Sequence, residues 1–147
     1  MHQSIEALLR EARERGRTIP QVVLDAEVEE SGQPAERVRD RLRRTLEVMR
    51  AAIDEGLKGD VRSASGLTGG RAARLWHDGP RLLGPRATET LARAIATLEV
   101  NASMGLIVAA PTAGAAGVLP AVLLGAAEIL EADDERLIDA MLVAGGV

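Results

Sequence analysis

Apolar residues recur along this chain at helical spacing and divide it into about seven helices. Ile5, Leu8, Leu9 and Ala12 share one face, predicting a short helix over Ser4–Arg15. Thr18-Ile-Pro-Gln21 has the form of a capping box with proline in the first turn, so a second helix opens there and runs to about Glu30, where Ser31-Gly32 ends it. Pro34 starts a longer helix with an apolar stripe of Val38, Leu42, Thr45, Leu46, Met49 and Ile53. The arginines from Arg37 to Arg44 fall mostly off that stripe and read as a solvated face. Gly56 to Gly70 is the longest irregular stretch, and Arg71 to His77 makes one or two turns stopped by Gly79-Pro80. Pro85 opens a long helix predicted to reach about Ala109, Thr112 to Gly117 reads as a loop, Val118 to Glu131 as a helix, and Asp133 as the cap of a last one. No segment alternates at strand period and none repeats. The expected architecture is all-α, a compact multi-helix domain with glycine-rich loops.

Polar positions sharpen this picture at one place. Val100 to Ala127 carries no charge, between Glu99 and Glu128, in a chain with 27% charged residues. The run exceeds the ~20 residues that a bilayer span needs. Pro111, Pro120 and the Pro-Thr-Ala-Gly segment would break a single span, and no Lys or Arg sits close to either edge to anchor one. Two buried helical segments joined by a loop are expected instead, with no membrane partner. Within the run, Asn101, Ser103 and Thr112 lie beside Gly105, Gly114 and Gly117. A mostly apolar stretch that keeps an amide and hydroxyls next to glycines is a candidate ligand wall or close packing contact.

Composition removes several classes of chemistry. One Trp with no Phe or Tyr leaves Leu, Ile, Val, Ala and Met to build the core, which suits closely packed helices. A net charge of −4 and the missing stacking platforms argue against nucleic-acid binding. Cysteine is absent, which excludes disulfides and thiolate ligands, and His2 and His77 alone make a histidine metal site an unattractive reading. Met1 to Arg17 is charged and lacks an apolar signal region, so a cytoplasmic setting is expected. Leu142-Val-Ala-Gly-Gly-Val147 is apolar to the end, which reads as a cut chain whose exposed end favours self-association into a homo-oligomer.

Three segments carry candidate chemistry. Ser63-Ala-Ser-Gly-Leu-Thr-Gly-Gly70 sets three hydroxyls and three glycines just before a helix, a pattern suited to a carboxylate or phosphate; a flexible surface linker is its plainer reading. It lacks the Gly-Lys-Ser/Thr ending of a P-loop. Glu99-Val-Asn101-Ala-Ser103-Met-Gly105 offers an amide that both donates and accepts, which fits an amino acid's ammonium and carboxylate; Asn101 as a tie to a neighbouring loop weighs equally. Pro111-Thr-Ala-Gly-Ala-Ala-Gly117 is either a further wall or a tight helix connection. His77 beside Asp78 reads as a surface or capping residue, and the catalytic residues stay unassigned.

Together, Ser63-Ala-Ser-Gly-Leu-Thr-Gly-Gly70, Glu99-Val-Asn-Ala-Ser-Met-Gly105 and Ala110-Pro-Thr-Ala-Gly-Ala-Ala-Gly-Val-Leu-Pro120 resemble, in order and spacing, the α subunit of iron–sulfur-dependent bacterial L-serine dehydratase. The resemblance implies an all-helical catalytic domain that converts L-serine to pyruvate and ammonia, with a 4Fe–4S cluster as Lewis acid and no pyridoxal phosphate. It implies a substrate site formed by Ser63, Ser65, Gly66, Thr68, Gly69, Glu99, Asn101, Thr112 and Gly114, with L-serine as ligand and a β subunit or domain as partner. The cluster ligands of this family are cysteines downstream of the Pro-Thr-Ala-Gly segment, so residues 1–147 read as the N-terminal part of the catalytic domain, with no metal ligand and no activity alone. Arg71 departs from the acidic residue more typical after the double glycine. Two other readings stay open: a cysteine desulfidase or other amino-acid lyase on the same scaffold, and a non-catalytic helical binding module.

Overall fold

The computed structural model describes residues 4–79, 82–109 and 112–146. Met1, His2, Pro80, Ala110, Pro111 and Val147, invoked above, lie outside the described residues. Among those described there are seven helices and no strand: α1 (Ile5–Arg15), α2 (Ile19–Ser31), α3 (Ala35–Leu57), α4 (Arg71–Asp78), α5 (Pro85–Ala102), α6 (Ala113–Leu130) and α7 (Asp134–Gly146). They divide into two units, residues 4–44 with 132–146 and residues Thr45–Glu131, and α3 contributes to both.

The first unit follows its local signals closely. The Ser4 hydroxyl accepts from Ala7 N at 3.2 Å to start α1, and Gly16 closes it in a left-handed conformation. The capping box at Thr18 is present, with Thr18 N donating to Gln21 Oε1 at 3.0 Å. Leu8, Ala12, Val22, Val23, Ile138 and Leu142 form its buried core, with Val38 and Leu42 packed against it. Two expectations change here. Leu142 is only 5% exposed, and the side chain of Val23 lies where a Cβ on Gly146 would sit, so this part of the apolar end is packed on α2 and not open for self-association. The arginine face of α3 is not simply solvated either. Arg39 donates to Glu135 at 2.7 Å and Asp139 at 2.9 Å, and Arg43 donates to Glu135 at 2.8 Å.

These arginines, Arg39 first and then Arg43, hold the Glu135 carboxyl below the ordinary carboxylate range by hydrogen bonding. A folded pKa below the unfolded one gives a contribution present above the unfolded value and lost as pH falls through the folded one. Glu135→Gln is therefore expected to lower the urea midpoint at neutral pH and to flatten its fall between about pH 5 and pH 3. Urea midpoints of the two proteins across that range check it.

In the second unit, α4 and α6 both pack against α5. Arg93 ties the three together: it is 6% exposed, its guanidinium pairs with Glu128 of α6, and its Cζ lies 5.3 Å from the Trp76 ring centroid on α4. Gly117 admits α6 to α5, since a Cβ there would stand 2.8 Å from Ala94 O. Ala52, Val61 and Val100 form a buried cluster where the second half of α3 meets α5, with Ile107 against it.

The helix boundaries in the uncharged run differ from expectation. α5 stops at Ala102, well before Ala109, because Met104 takes a left-handed φ of 67°, Met104 N donates to Asn101 O at 3.0 Å and Gly105 N to Val100 O at 2.9 Å. That is a Schellman closure with methionine in the position that glycine usually holds. Gly105 consequently lies outside the helix. Conversely, α6 begins at Ala113 inside the expected loop, because the Thr112 hydroxyl caps it by accepting from Ala115 N at 3.2 Å; Pro120 then falls within the helix. The run is also less buried than expected: Met104, Leu106, Val118 and Val122 are all exposed. No helix among the described residues is long and apolar enough to cross a membrane.

Candidate functional site

The three segments singled out by sequence gather at the C-terminal end of α5. Arg71 and Ala72 at the start of α4 meet Glu99, whereas Trp76 further along meets Arg93, so α4 runs antiparallel to α5. Gly117 of α6 lies beside Ala94 and Leu98 of α5, whereas Gly125 lies beside Thr90, so α6 also runs antiparallel to α5. The N-termini of α4 and α6 therefore point to the end of α5 that carries Glu99 and Asn101. Helix N-termini present free N–H groups and the positive end of the dipole, so this end of the unit favours negative charge.

Part of that potential is already used. Glu99 is 4% exposed, and its carboxylate accepts from Arg71 N at 2.9 Å and from Ala72 N at 3.4 Å. Gly70, the N-cap residue of α4, has no side chain to do this. The first N–H groups of α4, which the sequence pattern offers to a ligand carboxylate, thus face a carboxylate supplied by the chain itself. Spacing along one helix gives no hint of this partner, which lies 28 positions away.

The Ser63–Gly70 loop is closed by its own hydrogen bonds. Ser63 N donates to Thr68 O at 2.9 Å, Gly66 N to Ser63 O at 2.8 Å, and Thr68 N to the Ser63 hydroxyl at 3.2 Å. The Ser63 and Ser65 hydroxyls lie 3.2 Å apart. Thr68 Oγ1 is shielded from solvent and is the one such side-chain oxygen or nitrogen among the described residues without a hydrogen-bond partner. Gly69 has φ 142° and its Cβ would lie 2.8 Å from Arg62 Cδ, so only glycine fits the turn that delivers the chain to α4.

The remaining candidates are open. Asn101 is exposed; its backbone carbonyl closes α5, and its side-chain amide has no hydrogen-bond partner among the described residues. Thr112 is exposed with its hydroxyl spent on the cap of α6, and Gly114 is exposed, in a place where an added Cβ would meet only Thr112 Oγ1, at 4.0 Å. Ser63, Ser65, Gly66, Thr68 and Gly69 thus share one loop, which Glu99 joins through α4. Among the described residues no hydrogen bond links Asn101, Thr112 or Gly114 to that loop; they share only the same end of the helix group.

The chain has no cysteine, and the described residues contain no grouping of three His, Asp or Glu side chains able to hold a metal. The residues present therefore do not fit an iron–sulfur cluster.

Comparison with known proteins finds L-serine dehydratases. The chain is 37% identical over 148 residues to "Probable L-serine dehydratase, alpha chain" of Bacillus subtilis (strain 168), covering 99% of this chain and 49% of that one. It is 34% identical over 137 residues to "L-serine dehydratase, alpha chain" of Peptoniphilus asaccharolyticus, covering 91% and 47%. A third relative, "L-serine dehydratase" of Streptomyces coelicolor, is 35% identical over 97% of this chain and 32% of its own length. The chain thus spans at most about half the length of these relatives. No solved structure gives a significant match. The family described as "Serine dehydratase alpha chain" matches residues 14–147, which take in the glycine loop, the Glu99–Asn101 end of α5 and the Thr112 cap, and the chain belongs to that family.

Proposed function

We propose that this chain forms one wall of the substrate pocket of an L-serine ammonia-lyase, which dehydrates and deaminates L-serine to pyruvate and ammonia. The observation that carries the reading is the convergence of the α4 and α6 N-termini on the Glu99–Asn101 end of α5. In this reading the positive helix ends favour the carboxylate of the amino acid. The Asn101 amide, without a hydrogen-bond partner among the described residues, supplies a donor for that carboxylate or an acceptor for the ammonium group. Thr68 Oγ1 supplies a further polar group, a solvent-shielded hydroxyl. The Glu99 carboxylate keeps the glycine loop and α4 in place while these groups bind.

A 4Fe–4S cluster, the Lewis acid implied by the resemblance, would be held by residues outside this chain, with no pyridoxal phosphate and with a β subunit or domain as partner. The 147 residues alone are accordingly expected to be inactive on L-serine. The names of the relatives favour serine over other small amino acids.

Asn101→Ala in the holoenzyme is expected to raise KM for L-serine by about tenfold or more, the effect of losing one hydrogen bond to a charged group. Steady-state pyruvate formation measures it. Unchanged kinetics would remove Asn101 from the site.

A further inference from the structure

On the side of the glycine loop facing residues 59–62, the structure holds an open cleft of about 490 Å³ lined by Gly59, Arg62, Gly69, Gly70, Arg74 and His77. Two guanidinium groups in it bond backbone carbonyls, Arg62 through two short bonds and Arg74 through one long one. Arg62 Nη1 donates to Gly59 O and Val61 O, both at 2.7 Å, and Arg74 Nε donates to Gly70 O at 3.3 Å. Neither arginine forms an ion pair among the described residues. Asp78 is the one carboxylate on the described lining, so the fixed positive charge exceeds the negative.

The backbone of the cleft is as unusual as its charge. A Cβ on Gly70 would lie 3.0 Å from Arg62 Nη1, and one on Gly59 would lie 2.8 Å from the Ala73 Cβ. Glycine at these positions leaves peptide groups bare beside the guanidinium planes, where a small ligand can approach them. A guanidinium keeps further N–H donors after bonding one or two carbonyls, in a fork that matches two oxygens of a carboxylate or phosphate. Because two carbonyls already restrict the Arg62 side chain, less of its rotamer freedom is lost when a ligand binds.

We propose that Arg62, Arg74 and His77 form a binding site for a small oxyanion, a carboxylate or a phosphate, in this cleft. The site uses none of the residues assigned to serine except the Gly69 backbone, and it stands or falls independently of the serine reading.

The test is an NMR titration of the 15N-labelled 147-residue chain with sodium phosphate and, separately, sodium pyruvate, at constant ionic strength with sodium chloride as control. Saturable shifts are expected at the amides of Gly59, Gly69, Gly70 and Ala73, with Kd below about 10 mM. Arg74→Gln gives up only one long hydrogen bond from an exposed side chain, so its fold and Tm should be unchanged. Its affinity should fall by about tenfold or more. Saturation by both anions, or by one of them, supports the site and tells which headgroup it takes. No saturable shift with either anion, shifts reproduced by chloride, or an R74Q chain that binds like the parent would overturn it.

Discussion

Replacing Gly56 by alanine is expected to destabilise the chain by about 2 kcal/mol or more, although alanine is the better helix former. Gly56 lies in α3, and a Cβ there would sit 2.6 Å from both the carbonyl carbon and the Cα of Ala96 in α5. These are backbone atoms of a packed helix, so nothing flexible can swing aside. α3 and α5 would have to separate, loosening the Ala52–Val61–Val100 cluster beside the crossing. The helix-propensity gain of about 1 kcal/mol is smaller than the overpacking cost of about 1–3 kcal/mol, which exceeds that range when backbone is the obstacle. The control is Gly145→Ala in α7, where no atom lies within 4 Å of the added Cβ. That change should be neutral or mildly stabilising. Urea denaturation of the three proteins decides the matter, and a Gly56→Ala chain as stable as the parent would mean that the two helices do not cross there.

Glu99→Ala should cost about 3 kcal/mol, through two effects at one position. The carboxylate accepts two backbone N–H groups at the start of α4 and is 4% exposed. Truncation leaves those donors without a partner in a place water barely reaches, and opens a cavity between α4 and α5. Glu99→Gln keeps the shape and one acceptor oxygen but loses the charge that favours the helix N-terminus, so its cost should be intermediate. Hydrogen exchange at the Arg71 and Ala72 amides should quicken in the alanine variant more than exchange in α2. If serine binds as proposed, the same variant loses turnover because the glycine loop is displaced. Exchange at Arg71 and Ala72 equal to the parent's would show that Glu99 is not the cap.

Where a helix end is fixed by residues three or four apart, it was readable from the chain. Ser4, Thr18 with Gln21, and Asp133, whose carboxylate accepts from Arg136 N at 2.9 Å, all start helices as their spacing predicts. The end of α5 and the start of α6 are not legible in the sequence because glycines dominate the pattern there. Met104, not Gly105, turns left-handed, and Thr112 caps α6 ahead of Gly114 and Gly117. The arginines of α3 looked solvated because their partners, Glu135 and Asp139, lie about a hundred residues later.

The sequence by itself determined an all-helical chain, the helix starts apart from that of α6, the family motifs and the absence of cysteine ligands, since each depends on local spacing or on composition. Only the tertiary structure decided that α4 and α6 both run against α5, so that two helix N-termini and Asn101 meet at one end. It also decided that Glu99 caps α4 and that Arg62 and Arg74 frame an open cleft. The physical reason is one of range. Caps and turns are satisfied within a few residues, whereas a buried carboxylate or guanidinium is satisfied by whichever backbone the packed helices bring to it.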